Sequence, residues 1–231
     1  MEYDSGISLI IPCKPDGGNR DKNFSWLERR YTRLMPDAEI CIEFDNSEPY
    51  CKSKSINTAA SRAQNDIFVI ADADIVFDPL QIYRAVKLLT QYTWVLPYVN
   101  RIELSEKDTM GLIEKCPCVN LADLSFLDYK VTQPGVGSIC IVPRNSFNLV
   151  KGFDERFKGW GGEDCAFEMS LDTLCGLRYT PPDSTILHLY HPQSTTDTSQ
   201  SPDFPANQVL YERYLGANGN PDLMKALIDE K

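Results

Sequence analysis

Two aspartates set two residues apart between apolar runs, in Ile67-Phe68-Val69-Ile70-Ala71-Asp72-Ala73-Asp74-Ile75-Val76-Phe77, constrain this chain more than any other stretch. The first run is rich in β-branched and aromatic residues and reads as a fully buried strand. An ionised carboxylate is costly to desolvate, so Asp72 and Asp74 are expected where the strand leaves the sheet, at its carboxyl end. In open α/β sheets that edge is where ligands bind. Two carboxylates there offer hard oxygen ligands to a divalent cation, and the cation can in turn hold a diphosphate. The same spacing also suits a solvated strand end, or a turn in which Asp accepts a local hydrogen bond.

The 231 residues are enough to bury a sizeable core, as one large or two closely joined units. A net charge of −10 argues against binding long nucleic acid, which calls for a basic surface. No apolar run is long enough to span a bilayer, and Met1–Gly6 lacks the build of a signal peptide, so a cytoplasmic location is expected. The eight cysteines are scattered without Cys-x-x-Cys spacing, which argues against zinc and fits reduced thiols. Cys116-Pro117-Cys118 reads as too cramped for a bridge between its members.

Taken in order, Ile7–Pro12 reads as a buried strand and Cys13–Asn23 as a polar loop, whose glycines and cations suit either a phosphate or plain solvent. Phe24–Leu34 has apolar residues at helical spacing. Ala38–Phe44 is the second strand, ending in Asp45, and Lys54–Ala63 is the second crossover helix. With the strand that leads to Asp72, this β-α-β-α-β order predicts a mostly parallel, doubly wound α/β sheet flanked by helices. Further elements are expected as a helix over Pro79–Thr90 and a strand over Trp94–Tyr98. Residues 100–132 are mixed in pattern, with a helix over Lys107–Glu114. A strand over Ile139–Val142, a short turn over Phe147–Val150 and a helix over Cys165–Leu174 follow. The final strand, Ser184–Tyr190, contains His188, and His191 lies just past it. A polar stretch after His191 reads as a lid or a linker, and Asn207–Tyr214 and Pro221–Asp229 read as helices.

Ile10-Ile11-Pro12, the central Asp-x-Asp, Gly135-Val136-Gly137-Ser138, Gly152-Phe153-Asp154, Trp160-Gly161-Gly162-Glu163-Asp164 and a later His together resemble the β-1,4-galactosyltransferases. Their relatives include the polypeptide N-acetylgalactosaminyltransferases and the inverting family-2 enzymes, all nucleotide-sugar glycosyltransferases of the GT-A fold. The resemblance runs from Ile7 to about His191 and implies one GT-A catalytic domain over residues 1–231. Residues 1–99 would form its nucleotide-binding half, 100–191 its acceptor half, and 192–231 a mobile loop with terminal helices.

Roles follow from the resemblance. Asp72 and Asp74 would hold Mn²⁺ or Mg²⁺ against the diphosphate of a UDP-sugar donor, with His188, or His191 in its place, completing the metal shell. Pro12, Lys14, Asp45, Lys54 and Asn57 would border the nucleotide, and Gly137 the donor sugar. Trp160, Gly162 and Glu163 would form the acceptor side, with Asp164 as general base toward a hydroxyl acceptor, a glycan by preference. Two acids at a helix start also suit the macrodipole without any chemistry, and a histidine on an apolar strand also suits a core. The loop after Pro12, which carries Arg20, departs from the compact basic motif of the galactosyltransferases in being longer and richer in glycine. Rival readings are a nucleotidyltransferase of related sheet, a non-catalytic glycan-binding module, and an enzyme glycosylating modified DNA bases.

Overall fold

The computed structural model describes residues 6–126, 129–132, 137–193 and 199–231. Its first sheet is built from β1 (Ile7–Cys13), β2 (Glu39–Phe44), β3 (Ile67–Ala71) and β7 (Ile139–Pro143), in the order β2-β1-β3-β7. The pairs β1–β2 and β1–β3 are parallel and are joined through α1 (Asn19–Leu34) and α2 (Lys52–Arg62). Every residue of β1 and β3 is buried, as continuous apolar runs in a helix-covered parallel sheet should be.

A second sheet contains β4 (Ile75–Val76), β8 (Thr185–His188), β5 (Asn100–Leu104) and β6 (Tyr129–Thr132), in the order β4-β8-β5-β6. The expected single doubly wound sheet is therefore two sheets, and β7 joins the first one antiparallel to β3. The strand expected over Trp94–Tyr98 reduces to isolated bridges from Val95 to Ile141 and to Tyr179. Pro97 offers no N–H to a ladder there. The strands β5 and β6 escape a reading by apolar pattern because Arg101, Glu103 and Lys130 occupy them.

Local chemistry accounts for several boundaries. The first helix begins at Asn19, inside the expected loop, because the Asp16 carboxylate accepts from the Gly18 and Arg20 amides and so satisfies donors of its first turn. Helix α3 (Pro79–Lys87) starts with Asp78 accepting from Leu80 N at 2.9 Å, and proline at the first helical position needs no partner for an N–H. Ser105 caps α4 (Glu106–Ile113) by accepting from Asp108 N. Cys116 and Cys118 are paired as a disulfide, against expectation: a turn closed by Val119 N to Cys116 O holds their Cα atoms 5.3 Å apart, within the ordinary disulfide span. The other six cysteines are free.

After β7 come α5 (Arg144–Leu149), α6 (Glu163–Leu174), α7 (Phe204–Ala217) and α8 (Pro221–Ile228). A main apolar core runs from β1 to the β8 region, and a smaller cluster of Phe157, Met169, Leu210, Tyr214, Met224 and Leu227 packs α6 against α7 and α8. Tyr214 donates its hydroxyl to the buried Asp154 at 2.7 Å, and Arg156 closes on the same carboxylate, so the terminal helices are tied to the segment preceding α6. Gly135 and Val136, and residues 194–198 of the stretch read as lid or linker, lie outside the described residues.

Candidate active site

A cleft of about 410 Å³ opens at the carboxyl ends of β1 and β3. The peptide after β3 turns there: Asp72 N donates to Ser138 O at 3.0 Å, and Ile75 N closes back onto Asp72 O. Asp72 and Asp74 thus sit at the strand's exit, where desolvation predicts them.

The two carboxylates diverge. Asp74 is buried, and its Oδ1 and Oδ2 lie 3.5 Å from His188 Nε2 and 3.3 Å from His191 Nε2. Strand pairing sets this meeting, because β4 runs antiparallel to β8 with Ile75 opposite His188, and Leu189 N donates to Asp74 O. One ligand atom from each of Asp74, His188 and His191 falls within 4.8 Å of the others. Both histidines converge, where one was expected with the other as alternative. The two imidazoles hold the Asp74 carboxyl well below its usual range despite burial. Burial disfavours the charged His188 ring, but Asp74 and then Glu103 outweigh it and raise its pKa to about 10.

A divalent cation fits this group. Asp74 Oδ1 is buried without a hydrogen-bond partner among the described residues, and a buried carboxylate oxygen facing two imidazole nitrogens is a ready set of ligands.

Asp72 faces a different partner, Lys52, whose Nζ lies 2.8 Å from Oδ1. The same ammonium donates to Gly137 O at 3.2 Å and to both Asp164 oxygens at 3.1 and 3.0 Å, and lies 4.0 Å from Glu163. Burial lowers the Lys52 pKa, yet Asp164, Asp72 and Glu163 together hold it well above its usual value. Burial raises Asp72 to about 6 against the pull of Lys52, and burial with the adjacent Asp164 raises Glu163 to about 8.

Glu163 and Asp164 open the first turn of α6, where their charge favours the helix dipole. Gly162 precedes them at φ +100°, and a Cβ there would press on Phe157. Gly137, at φ +119°, lies so close that a Cβ would fall 2.2 Å from Asp164 Oδ2. Trp160 is 45% exposed on the cleft wall and stacks on Phe204, ring centroids 5.7 Å apart.

Pro12 of β1 and Lys14 just past its end line the cleft with Arg20, and Lys14 pairs with Glu48 at 3.0 Å. Asp45 follows β2 beside Cys13, its N donating to Cys13 O and its carboxylate accepting from Ser47, and it does not itself line the cleft. Lys54 is exposed and Asn57 bonds Phe153 and Glu155, so neither lines the cleft where the nucleotide contact was expected. The lysine that reaches the cleft is Lys52, one helical turn before the buried Ile56 and so on the inward face, whereas Lys54 is turned away. Helix phase was the signal that would have picked it. Arg101 and Glu103 of β5 also reach the site, and no pattern in their strand marked them.

Residues 121–193 match the family described as the N-terminal domain of galactosyltransferase, a span that includes Trp160–Asp164 and both histidines. No curated protein matches the chain. Among solved structures, a mannosyltransferase from Pyrobaculum calidifontis in complex with GDP-Man and Mn²⁺ is similar at 14% identity and TM-score 0.52, covering 99% of this chain and 69% of that one. The catalytic domain of Drosophila β-1,4-galactosyltransferase 7 with xylobiose is similar at 16% identity and TM-score 0.48, covering 80% and 71%. No helix of the described residues is long and apolar enough to cross a membrane. The family match, over the part of the cleft that carries Trp160–Asp164 and both histidines, and the likeness in fold support a glycosyltransferase, and the chain has the GT-A fold.

Proposed function

We propose that this protein is a metal-dependent, inverting glycosyltransferase that moves a sugar from a UDP-sugar to a hydroxyl acceptor, a glycan by preference. The observation that carries the reading is the placing of two acidic groups in one cleft: Asp74 among His188 and His191, and Glu163–Asp164 around Lys52. A carboxylate with two imidazoles suits Mn²⁺ better than Mg²⁺, which takes oxygen ligands. Bound there, the cation would act as a Lewis acid toward the departing diphosphate.

The chain's own residues do the rest. Lys14, Arg20, Lys52 and Arg101 line the cleft beside its carboxylates and offer cationic donors to a diphosphate within an acidic protein. Asp164 is the general base: its carboxylate takes the acceptor hydroxyl proton as that oxygen attacks the anomeric carbon from the face opposite the leaving group. One such displacement inverts the anomeric centre. Glu163, whose carboxyl burial and the adjacent Asp164 push toward the protonated form, hydrogen-bonds an acceptor oxygen, and Trp160 with Phe204 offers a ring face to a pyranose. Residues 12–14 border the base and ribose, with Asp45 held to Cys13 beside them, and Asp72 positions Lys52 against the phosphates.

The test is turnover of a panel of UDP- and GDP-sugars with hydroxyl acceptors, following nucleoside diphosphate release and the product's anomeric configuration by NMR. UDP release that needs Mn²⁺, an inverted product, and a loss of roughly 10²–10⁴-fold in Asp164→Asn with donor binding retained are expected. Unchanged turnover in Asp164→Asn would remove the base. Pyrophosphate released from a nucleoside triphosphate would favour a nucleotidyltransferase instead.

A further inference from the structure

The parallel pairing of β5 with β8 places Glu103 directly opposite His188. Its Oε2 lies 2.6 Å from His188 Nδ1, on the side of the ring away from Asp74, toward which Nε2 points. The other carboxylate oxygen is itself held, by Arg101 Nε at 2.6 Å and Thr132 Oγ1 at 3.3 Å. Arg101 in turn donates through Nη1 to Ser138 Oγ at 2.9 Å, beside Gly137. A carboxylate pinned on one oxygen and aimed at a ring nitrogen with the other has one geometry to offer.

We propose that Glu103 is a positioning residue for the metal centre: it accepts the Nδ1–H of His188 and so presents Nε2 to the cation. The inference rests on the reading of Asp74, His188 and His191 as the cation's ligands. A neutral imidazole carries one proton on either nitrogen, and a proton on Nε2 blocks coordination. The Glu103 carboxylate accepts but cannot donate, so it keeps the proton on Nδ1 and makes Nε2 the better ligand. Arg101 and Thr132 stop the carboxylate from rotating, and Arg101 links it to the Ser138 segment whose neighbour Gly137 touches Asp164.

The test measures Mn²⁺ affinity calorimetrically for the unaltered protein and for Asp74→Asn, Glu103→Gln, His188→Ala and Glu103→Gln/His188→Ala. The carboxamide either accepts a weaker bond or turns its NH₂ to the ring and drives the proton to Nε2. Glu103→Gln is expected to bind Mn²⁺ roughly 10–100-fold more weakly. In the His188→Ala background the same change should have no further effect, since the residue acts only through that ring. A purely structural role would weaken both backgrounds alike. A second measurement needs no variant: in the unaltered protein loaded with diamagnetic Cd²⁺, imidazole ¹⁵N spectra should show His188 protonated at Nδ1 and coordinated through Nε2.

Mn²⁺ affinity unchanged in Glu103→Gln, equal losses in the two backgrounds, or coordination through Nδ1 would overturn the role of Glu103 while leaving the metal site standing. Absence of Mn²⁺ binding by the unaltered protein, or binding that survives Asp74→Asn, would overturn the metal site itself and this inference with it.

Discussion

Lys52 donates to both carboxylate oxygens of Asp164, at 3.1 and 3.0 Å, while the same Nζ lies 2.8 Å from Asp72. One ammonium therefore neutralises the proposed base and one member of the Asp-x-Asp pair together. Replacing it by a shape-matched apolar residue, Lys52→Met, leaves those carboxylates and Glu163 facing one another. Removing one partner of a buried ion pair typically destabilises by about 3–5 kcal/mol. For a chain of this size each kcal/mol lowers the melting temperature by roughly 2–4 °C. Calorimetric melting is the check, and a melting temperature equal to that of the unaltered protein would show that the cluster does not depend on Lys52.

Gly137 tests the base without touching the metal ligands. A methyl group there meets Asp164 Oδ2 at 2.2 Å, so Gly137→Ala must push the carboxylate out of place. Displacing a reacting group by about 1 Å can slow a reaction ~10²-fold. The expected outcome is a loss of that size in turnover with Mn²⁺ affinity unchanged, because Asp74, His188 and His191 lie on other segments. Parallel calorimetry and turnover assays separate the two effects.

Stability of the metal-free protein should fall as pH rises. Asp72, Glu163 and His188 all have folded pKa values above their ordinary ones, at about 6, 8 and 10 against 3.8, 4.5 and 6.5. Between each pair of values the folded state holds more protons than the unfolded one, so the stabilisation present below the lower value is lost through the upper one. Asp74 and Glu103 are shifted down, and their contributions persist throughout that range. Melting in EDTA across the neutral and mildly alkaline range should show the decline. Mn²⁺ affinity should rise over the same range, because coordination requires a neutral imidazole. A flat melting profile would contradict the assignment of raised values to the cluster.

The strands β1, β2 and β3, their crossover helices and the position of Asp72 and Asp74 were legible because buried apolar runs and desolvation leave few alternatives. The second sheet was not, because β5 spends its alternate positions on Arg101 and Glu103, which serve the site rather than the core. The pairing of His188 and His191 with Asp74 was half legible: two histidines near one strand marked the region, but only the β4–β8 register shows that both reach the same carboxylate. Lys52 and Lys54 differ by two positions on one helix, and composition cannot choose between them. The phase of Ile56, Ala59 and Ala60 can.

The most direct test of the account is thermal unfolding with UDP in the presence and absence of Mn²⁺, in the unaltered protein and in Asp74→Asn. A ligand that binds the native state alone stabilises it by mass action, by about 2.7 kcal/mol at a hundredfold excess over its Kd. The account predicts a rise in melting temperature with UDP that requires Mn²⁺ and disappears in Asp74→Asn. Stabilisation by UDP that is indifferent to Mn²⁺, or that survives Asp74→Asn, would contradict it.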